Sequence, residues 1–113
     1  MEILAAVAAL AALAHEGRLA IYRLLVEAGP AGLTVGVIAK KLAMPGATLS
    51  FHLAQLQHAG LVAARRDGRR LIQTTDFARM DELLGYLTDN CCGGNPAACA
   101  PPPKIGPKKK SAK

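Results

Sequence analysis

The chain has 113 residues, 51% of them hydrophobic and 19% charged, which excludes a disordered polymer and allows one domain with a modest core. Its formal charge of +6 is uneven: Lys104, Lys108, Lys109, Lys110 and Lys113 crowd the C-terminus, and the remainder is close to neutral. Three cysteines, an odd number gathered at one end, exclude a disulfide framework and fit a reducing cytoplasm in which thiols are available as ligands.

The first segment, EILAAVAALAALA, predicts a helix with Ile3, Val7, Leu10 and Ala14 on one stripe and Leu4, Ala11 and Leu13 beside it. Its alanines favour the helix and allow close backbone approach. The apolar run from Ile3 to Ala14 is too short for a bilayer, which takes roughly 20 residues. It also follows Glu2 rather than a basic segment, unlike a signal peptide. A helix apolar on nearly every face, in a chain this small, is expected to be covered by a second copy.

A second helix, Glu16 to Ala28, places Ile21, Leu24, Leu25 and Ala28 on one side and Leu19, Tyr22 and Val26 on the other, which predicts packing on both faces. Gly29-Pro30 ends it. Thr34 is the expected N-cap of a third helix over VGVIAKKLA, and Met44-Pro45-Gly46 breaks the chain. A fourth helix, Ala47 to His58, turns Leu49, Leu53 and Leu56 inward and closes at Gly60. LVAARRDGRRLIQTT predicts a β-hairpin turning at Asp67-Gly68. Asp76 then caps a last helix carrying Phe77, Met80, Leu83, Leu84 and Leu87 on one face. Residues 1–90 therefore predict a mainly α domain with a small β-hairpin, ordered as a winged helix-turn-helix. A cysteine loop follows at 91–103, and then a basic tail at 104–113 too polar to offset its ordering entropy.

On the fourth helix, Ala47, Phe51, Ala54 and Gln55 point outward, with Thr48, Ser50 and His52 on the flanks. Thr48, Ser50 and Gln55 offer hydrogen bonds to base edges or phosphates. Phe51 either meets a thymine methyl or folds back over the wing. His52 either donates to a phosphate or is a satisfied structural histidine. His15 and His58 read as surface or capping residues. In the hairpin, RRDGRR holds four of the seven arginines. Arg66 and Arg69 lie nearest the tip, with Arg70 next, suited to phosphate or minor-groove contact. A merely solvated charged turn is the alternative.

The segments HEGRLAIYRLL and LTVGVIAKKLAMPGATLSFHLAQLQHAGLVAARRDGRRLIQ together resemble the ArsR (ArsR/SmtB) family of metalloregulatory repressors. Arg18, Ile21, Leu24 and Leu25 match its second helix. Ser50-Phe51-His52-Leu53, Leu56 and Ala59-Gly60-Leu61-Val62 match its recognition helix and the entry to the wing. The resemblance implies a homodimer joined through the first and last helices, which binds double-stranded operator DNA and releases it when an inducer binds. No enzymatic activity, obligatory cofactor or membrane partner is expected of the chain. Two-fold symmetry would demand a roughly palindromic operator.

The family's arsenic box places cysteines around the position of Val35 to Leu42, where this chain has none. Its zinc site uses histidine and acidic residues on the last helix, and DFARMDELLGYLTDN has no histidine. The inducer site therefore falls to Cys91, Cys92 and Cys99, resembling members whose trithiolate arsenic site follows the last helix. Three soft thiolates suit As(III), with Sb(III) or Bi(III) close behind, whereas zinc favours four ligands. Gly93 and Gly94 let the chain fold back and Asn95-Pro96 encourages a turn, so one subunit can supply all three.

A thiol redox switch, a response to another soft metal, and a carrier that ignores DNA remain as alternatives. Catalysis by a phosphate-loop thiol would pair a cysteine with an arginine six residues on. Ala97, Ala98 and Ile105 occupy those places instead.

Overall fold

Side-chain caps start four of the five α-helices among the described residues; the fourth follows Pro45 and has none. In a computed structural model, which describes residues 1–95 and 97, Glu2 accepts from the backbone N–H groups of Leu4 and Ala5 and begins α1 (Ile3–Leu13). His15 Nδ1 accepts from Gly17 N–H at 3.0 Å and begins α2 (Glu16–Ala28). Thr34 caps α3 (Val35–Leu42) by accepting from Val37 N–H at 3.3 Å. Each cap satisfies a donor that the first helical turn leaves without a partner.

Ala43 stands in the left-handed region, φ 51°, between α3 and α4 (Gly46–His58). For a residue with a Cβ that costs roughly 1–2 kcal/mol, offset by its N–H reaching the carbonyls of Ala39 and Lys40. The two helices form the expected helix-turn-helix. Leu49, Leu53 and Leu56 face inward from α4, where they meet Ile21 and Leu25 of α2 and Ile38 of α3 in one core. From α1 it is Ala6, Ala9 and Ala12 that point into this core, because small side chains let the helix lie close.

The expectation that α2 packs on two faces is met only at Tyr22. Tyr22 joins the core beside Ile21, but Leu19 and Val26 are exposed. The outer face carries an exposed Arg23–Glu27 ion pair at 3.7 Å instead of a neighbouring element.

The sheet has three strands where the sequence predicted two. β1 (Leu33–Thr34) pairs with β3 (Arg70–Thr75), which pairs with β2 (Val62–Asp67), all antiparallel in the order β1-β3-β2. Asp67 faces Arg70 across the hairpin, so the turn is Gly68-Arg69, one residue later than expected. Gly68, with φ 66°, takes the first central position, where a type II′ turn requires positive φ; Arg69 has a negative φ.

Gly32 makes the extra strand possible. With φ 67° and ψ −172° it occupies backbone space open essentially to glycine alone. A Cβ there would run into the Gln73 carbonyl and the side chains of Thr74 and Ile72. Gly32→Ala is therefore expected to destabilise the fold by about 2–4 kcal/mol, read as a lower urea midpoint. A midpoint equal to wild type would show that β1 does not anchor the sheet.

Asp76 caps α5 (Phe77–Leu87), accepting from Arg79 N–H at 3.1 Å. The predicted single apolar face of α5 divides. Leu83 is buried and Met80 packs beside the core, whereas Phe77, Leu84 and Leu87 face outward. On α1, which packs against α5, Ile3, Leu4, Val7 and Leu10 are also exposed. These two neighbouring helices thus carry most of the large apolar side chains left in water. Among the described residues no single helix is long and apolar enough to cross a membrane.

Candidate nucleic-acid interface and thiol cluster

The recognition helix takes its orientation from its three buried leucines. With those inward, Ala47, Thr48, Ser50, Phe51, Ala54 and Gln55 are all exposed. Phe51 does not fold back over the wing: it is 59% exposed, its ring 5.7 Å from that of His52 and tilted by 60°.

His52 is a correction. It stood among the candidate DNA-facing residues, with a satisfied structural histidine as the alternative, and it is only 7% exposed and packed toward Arg18 of α2. Arg18 Nη1 donates to His52 Nδ1 at 3.4 Å, while Arg18 Nε donates to the Ala12 carbonyl at 2.6 Å. The His15 ring stands 4.6 Å from that of His52. Arg18 therefore ties α1, α2 and α4 together, a role that single-helix periodicity does not reveal.

Burial lowers the His52 pKa below the usual histidine value, and the neighbouring His15 and Arg18 add to the effect. The folded state thus prefers neutral His52, and the unfolded chain takes up the proton first as the pH falls. Stability should be full above about pH 6.5 and decline below it until His52 titrates in the folded state. Denaturant unfolding of wild type and His52→Gln at pH 7.5 and 5.5 tests this. A wild-type loss no greater than that of the variant would exclude His52 as its source.

The wing places its arginines unequally. Cross-strand pairing sets Arg66 beside Leu71 on one face, Arg65 and Arg70 on the other, and Arg69 in the turn. Arg65 Nη2 donates to the carbonyls of Pro30 and Ala31 at 3.4 and 3.2 Å, which holds the wing to the turn after α2. Arg66, Arg69 and Arg70 are exposed. Arg69 and Arg70 line a cleft of about 560 Å³ with Thr34, Val35 and Val37, so the wing tip lies beside the start of α3. Lys40 and Lys41 add exposed charge in the last turn of α3; the adjacent lysines were visible in sequence but were given no role.

Beyond α5 the chain tightens. A 3-10 turn spans Cys91–Gly94, and Asn90, Cys92, Gly93 and Gly94 all have positive φ, so the backbone folds back sharply. Cys91 N–H donates to the Thr88 carbonyl and Gly94 N–H to that of Asn90. Both cysteines are exposed, their Sγ atoms 3.7 Å apart. Cys99 lies outside the described residues, as do Pro96 and the basic tail from Lys104. Among the described residues no three metal-ligating side chains come together.

Two short helices joined by a tight turn and followed by a basic wing define a winged helix-turn-helix protein. A helix-turn-helix domain family matches residues 13–65. The chain is 41% identical over 77 residues to YceK, an uncharacterized HTH-type transcriptional regulator of Bacillus subtilis, covering 67% of this chain and 76% of that one. It is 33% identical over 80 residues to the nodulation protein NolR of Rhizobium meliloti, covering 71% of this chain and 63% of that one. The chain therefore spans under two thirds of the length of NolR.

Among solved structures, an ArsR-like transcriptional regulator from Rhodococcus sp. RHA1 superposes with a TM-score of 0.68 at 26% identity, covering 74% of this chain and 76% of that one. The homodimeric winged helix-turn-helix DNA-binding domain of Mb0332 from Mycobacterium bovis, a possible ArsR-family regulator, gives a TM-score of 0.60 at 31% identity, covering 80% and 84%. A possible transcriptional regulator for arsenical resistance gives 0.58 at 28% identity, covering 67% and 76%. This chain belongs to the ArsR family of transcriptional regulators, a family of DNA-binding proteins and not of enzymes.

Proposed function

We propose that the protein is a homodimeric repressor that holds operator DNA through α4 and the wing and releases it when trivalent arsenic binds its C-terminal thiols. The observation that carries this reading is the exposed Cys91–Cys92 pair, with Sγ atoms 3.7 Å apart, directly after α5. That helix neighbours α1, whose outward apolar face suits a second copy of the chain. A ligand closing the turn would therefore act beside the proposed subunit interface. The likeness to a possible regulator for arsenical resistance supports the choice of ligand.

The chemistry balances without a redox partner. Arsenous acid exchanges its three hydroxyl groups for three cysteine thiols. Three As–S bonds form, three As–O bonds break and three water molecules leave. Cys91 and Cys92 supply two sulfurs and Cys99 the third, and Sb(III) is accommodated by the same exchange. Drawing the turn closed shifts α5, and with it the spacing of the two recognition helices. A coupling of about 1–3 kcal/mol weakens operator affinity roughly 5- to 150-fold.

The test uses a fluorescent duplex enriched from a random library by the protein itself. Arsenite is expected to lower the anisotropy of the complex, and X-ray absorption of the loaded protein to count three sulfur neighbours. Two sulfurs would assign the site to the cysteine pair and favour a methylated arsenical. Release by peroxide but not by arsenite would replace arsenic sensing with redox sensing. Indifference to duplex DNA at physiological salt would leave only a metal carrier.

A further inference from the structure

The recognition helix carries no formal charge. Between Gly46 and His58 there is no Lys, Arg, Asp or Glu. The commonest specific contact to guanine, a bidentate Arg or Lys, is thus absent from this helix, as is a carboxylate for the cytosine amino group. Two further polar side chains are already engaged. His52 is buried against Arg18, and Gln57 Nε2 donates to Gln73 Oε1 at 2.8 Å.

What remains outward is an apolar ridge with a few hydrogen-bonding neighbours. Phe51 lies on this ridge with Ala47 one turn before it and Ala54 one turn after, and Thr48, Ser50 and Gln55 beside them. All six are exposed, and the neighbouring His52 ring contacts that of Phe51. The exposed cations lie on other elements: Lys40 and Lys41 on the preceding α3, and Arg66, Arg69 and Arg70 in the wing. This division leaves phosphate contacts to α3 and the wing and base contacts to an uncharged α4.

We infer that this regulator selects its operator by thymine methyl groups, with Phe51 as the specificity-determining residue. The inference rests on the DNA-binding reading above and deepens it. The C5-methyl of thymine is the apolar feature that a base pair presents in the major groove, and Phe and Ala are side chains suited to it. Gln55, one turn beyond Phe51, has the amide geometry for bidentate contact with adenine N6 and N7. Half-sites read by α4 are therefore rich in A·T pairs, while the wing arginines and α3 lysines bind phosphates whatever the sequence.

The probe is the duplex that the full-length wild type enriches from a random library, compared with copies in which single thymines are replaced by deoxyuridine, which lacks only the methyl. For wild type, at least one replacement per half-site weakens binding about three- to fivefold, the worth of one buried methyl. Phe51→Ala weakens binding to the thymine duplex about tenfold and brings the thymine and uracil duplexes to the same affinity. Phe51→Leu keeps part of the difference.

Because Phe51 is exposed, Phe51→Ala should melt like wild type and remain in the wild-type oligomeric state. A thymine-to-uracil ratio unchanged in Phe51→Ala, or enriched half-sites centred on G·C pairs, overturns the inference and leaves DNA binding intact. A change of oligomeric state in Phe51→Ala overturns it by assigning Phe51 to an interface between copies. Failure of wild type to retain any duplex, even at low salt, removes the DNA-binding reading itself.

Discussion

Val7→Glu is expected to separate the dimer into monomers and to weaken binding to a duplex with two half-sites at least about a hundredfold. Val7 is 55% exposed, on the stripe that begins at Ile3 and continues to Leu10, and α1 has no charged residue to offer a carboxylate. Covering an apolar side chain of this size contributes about 1.5–3 kcal/mol. An unpaired carboxylate in the same place costs more than that gain, and two-fold symmetry imposes the cost twice. A monomer engages one half-site at a time and loses the avidity of the linked pair, worth about 10²- to 10⁴-fold.

Light scattering reads the mass and anisotropy the affinity. Circular dichroism is the folding check, and it should not change, because the single chain leaves this face in water. A dimer of normal affinity in Val7→Glu would move the subunit interface away from α1.

Cys91→Ser and Cys92→Ser are each expected to abolish the response to arsenite, reducing a 5- to 150-fold release to less than about twofold. A serine oxygen is a hard donor and its alcohol keeps its proton at neutral pH, so it does not displace hydroxide from arsenic as a thiol does. The two positions differ structurally. Cys91 N–H holds the end of α5 through the Thr88 carbonyl, whereas Cys92 takes the left-handed conformation, φ 55°. Serine preserves the backbone at both, so a shared loss of response would belong to the sulfur and not to the turn. Cys99→Ser separates the trithiolate from the pair. Its retained response would leave two sulfurs sufficient, and retained response in all three variants would end the cysteine assignment.

Much of this fold was legible because its signals are local. Thr34 and Asp76 cap the helices they were expected to cap, since a cap involves a side chain and an N–H three residues away. Leu49, Leu53 and Leu56 bury as their spacing required, which also turned Phe51 and Gln55 outward. The proposed interface was partly legible too. An all-apolar first helix implied a partner, and in the fold Ala6, Ala9 and Ala12 turn to the core while Ile3, Leu4, Val7 and Leu10 stay exposed.

Other features had no local signal. A two-residue strand such as β1 has no period to detect and exists only where Gly32 brings the chain against β3. The hairpin turn moved by one residue because strand pairing set its register, placing Asp67 opposite Arg70. Leu19 and Val26 had the spacing of a packed stripe but no element arrived to cover them.

The sequence by itself determined the order of elements, the inward face of the recognition helix and the confinement of soft ligands to one short segment. Those properties depend on hydrogen bonds and periodicities within a few residues. Only the tertiary structure decided that His52 is a buried strut, because Arg18 reaches it from 34 positions away. Only the tertiary structure divided the wing arginines and left apolar residues exposed on the neighbouring α1 and α5. Burial belongs to the meeting of distant segments, and a side chain's own neighbours in sequence do not encode it.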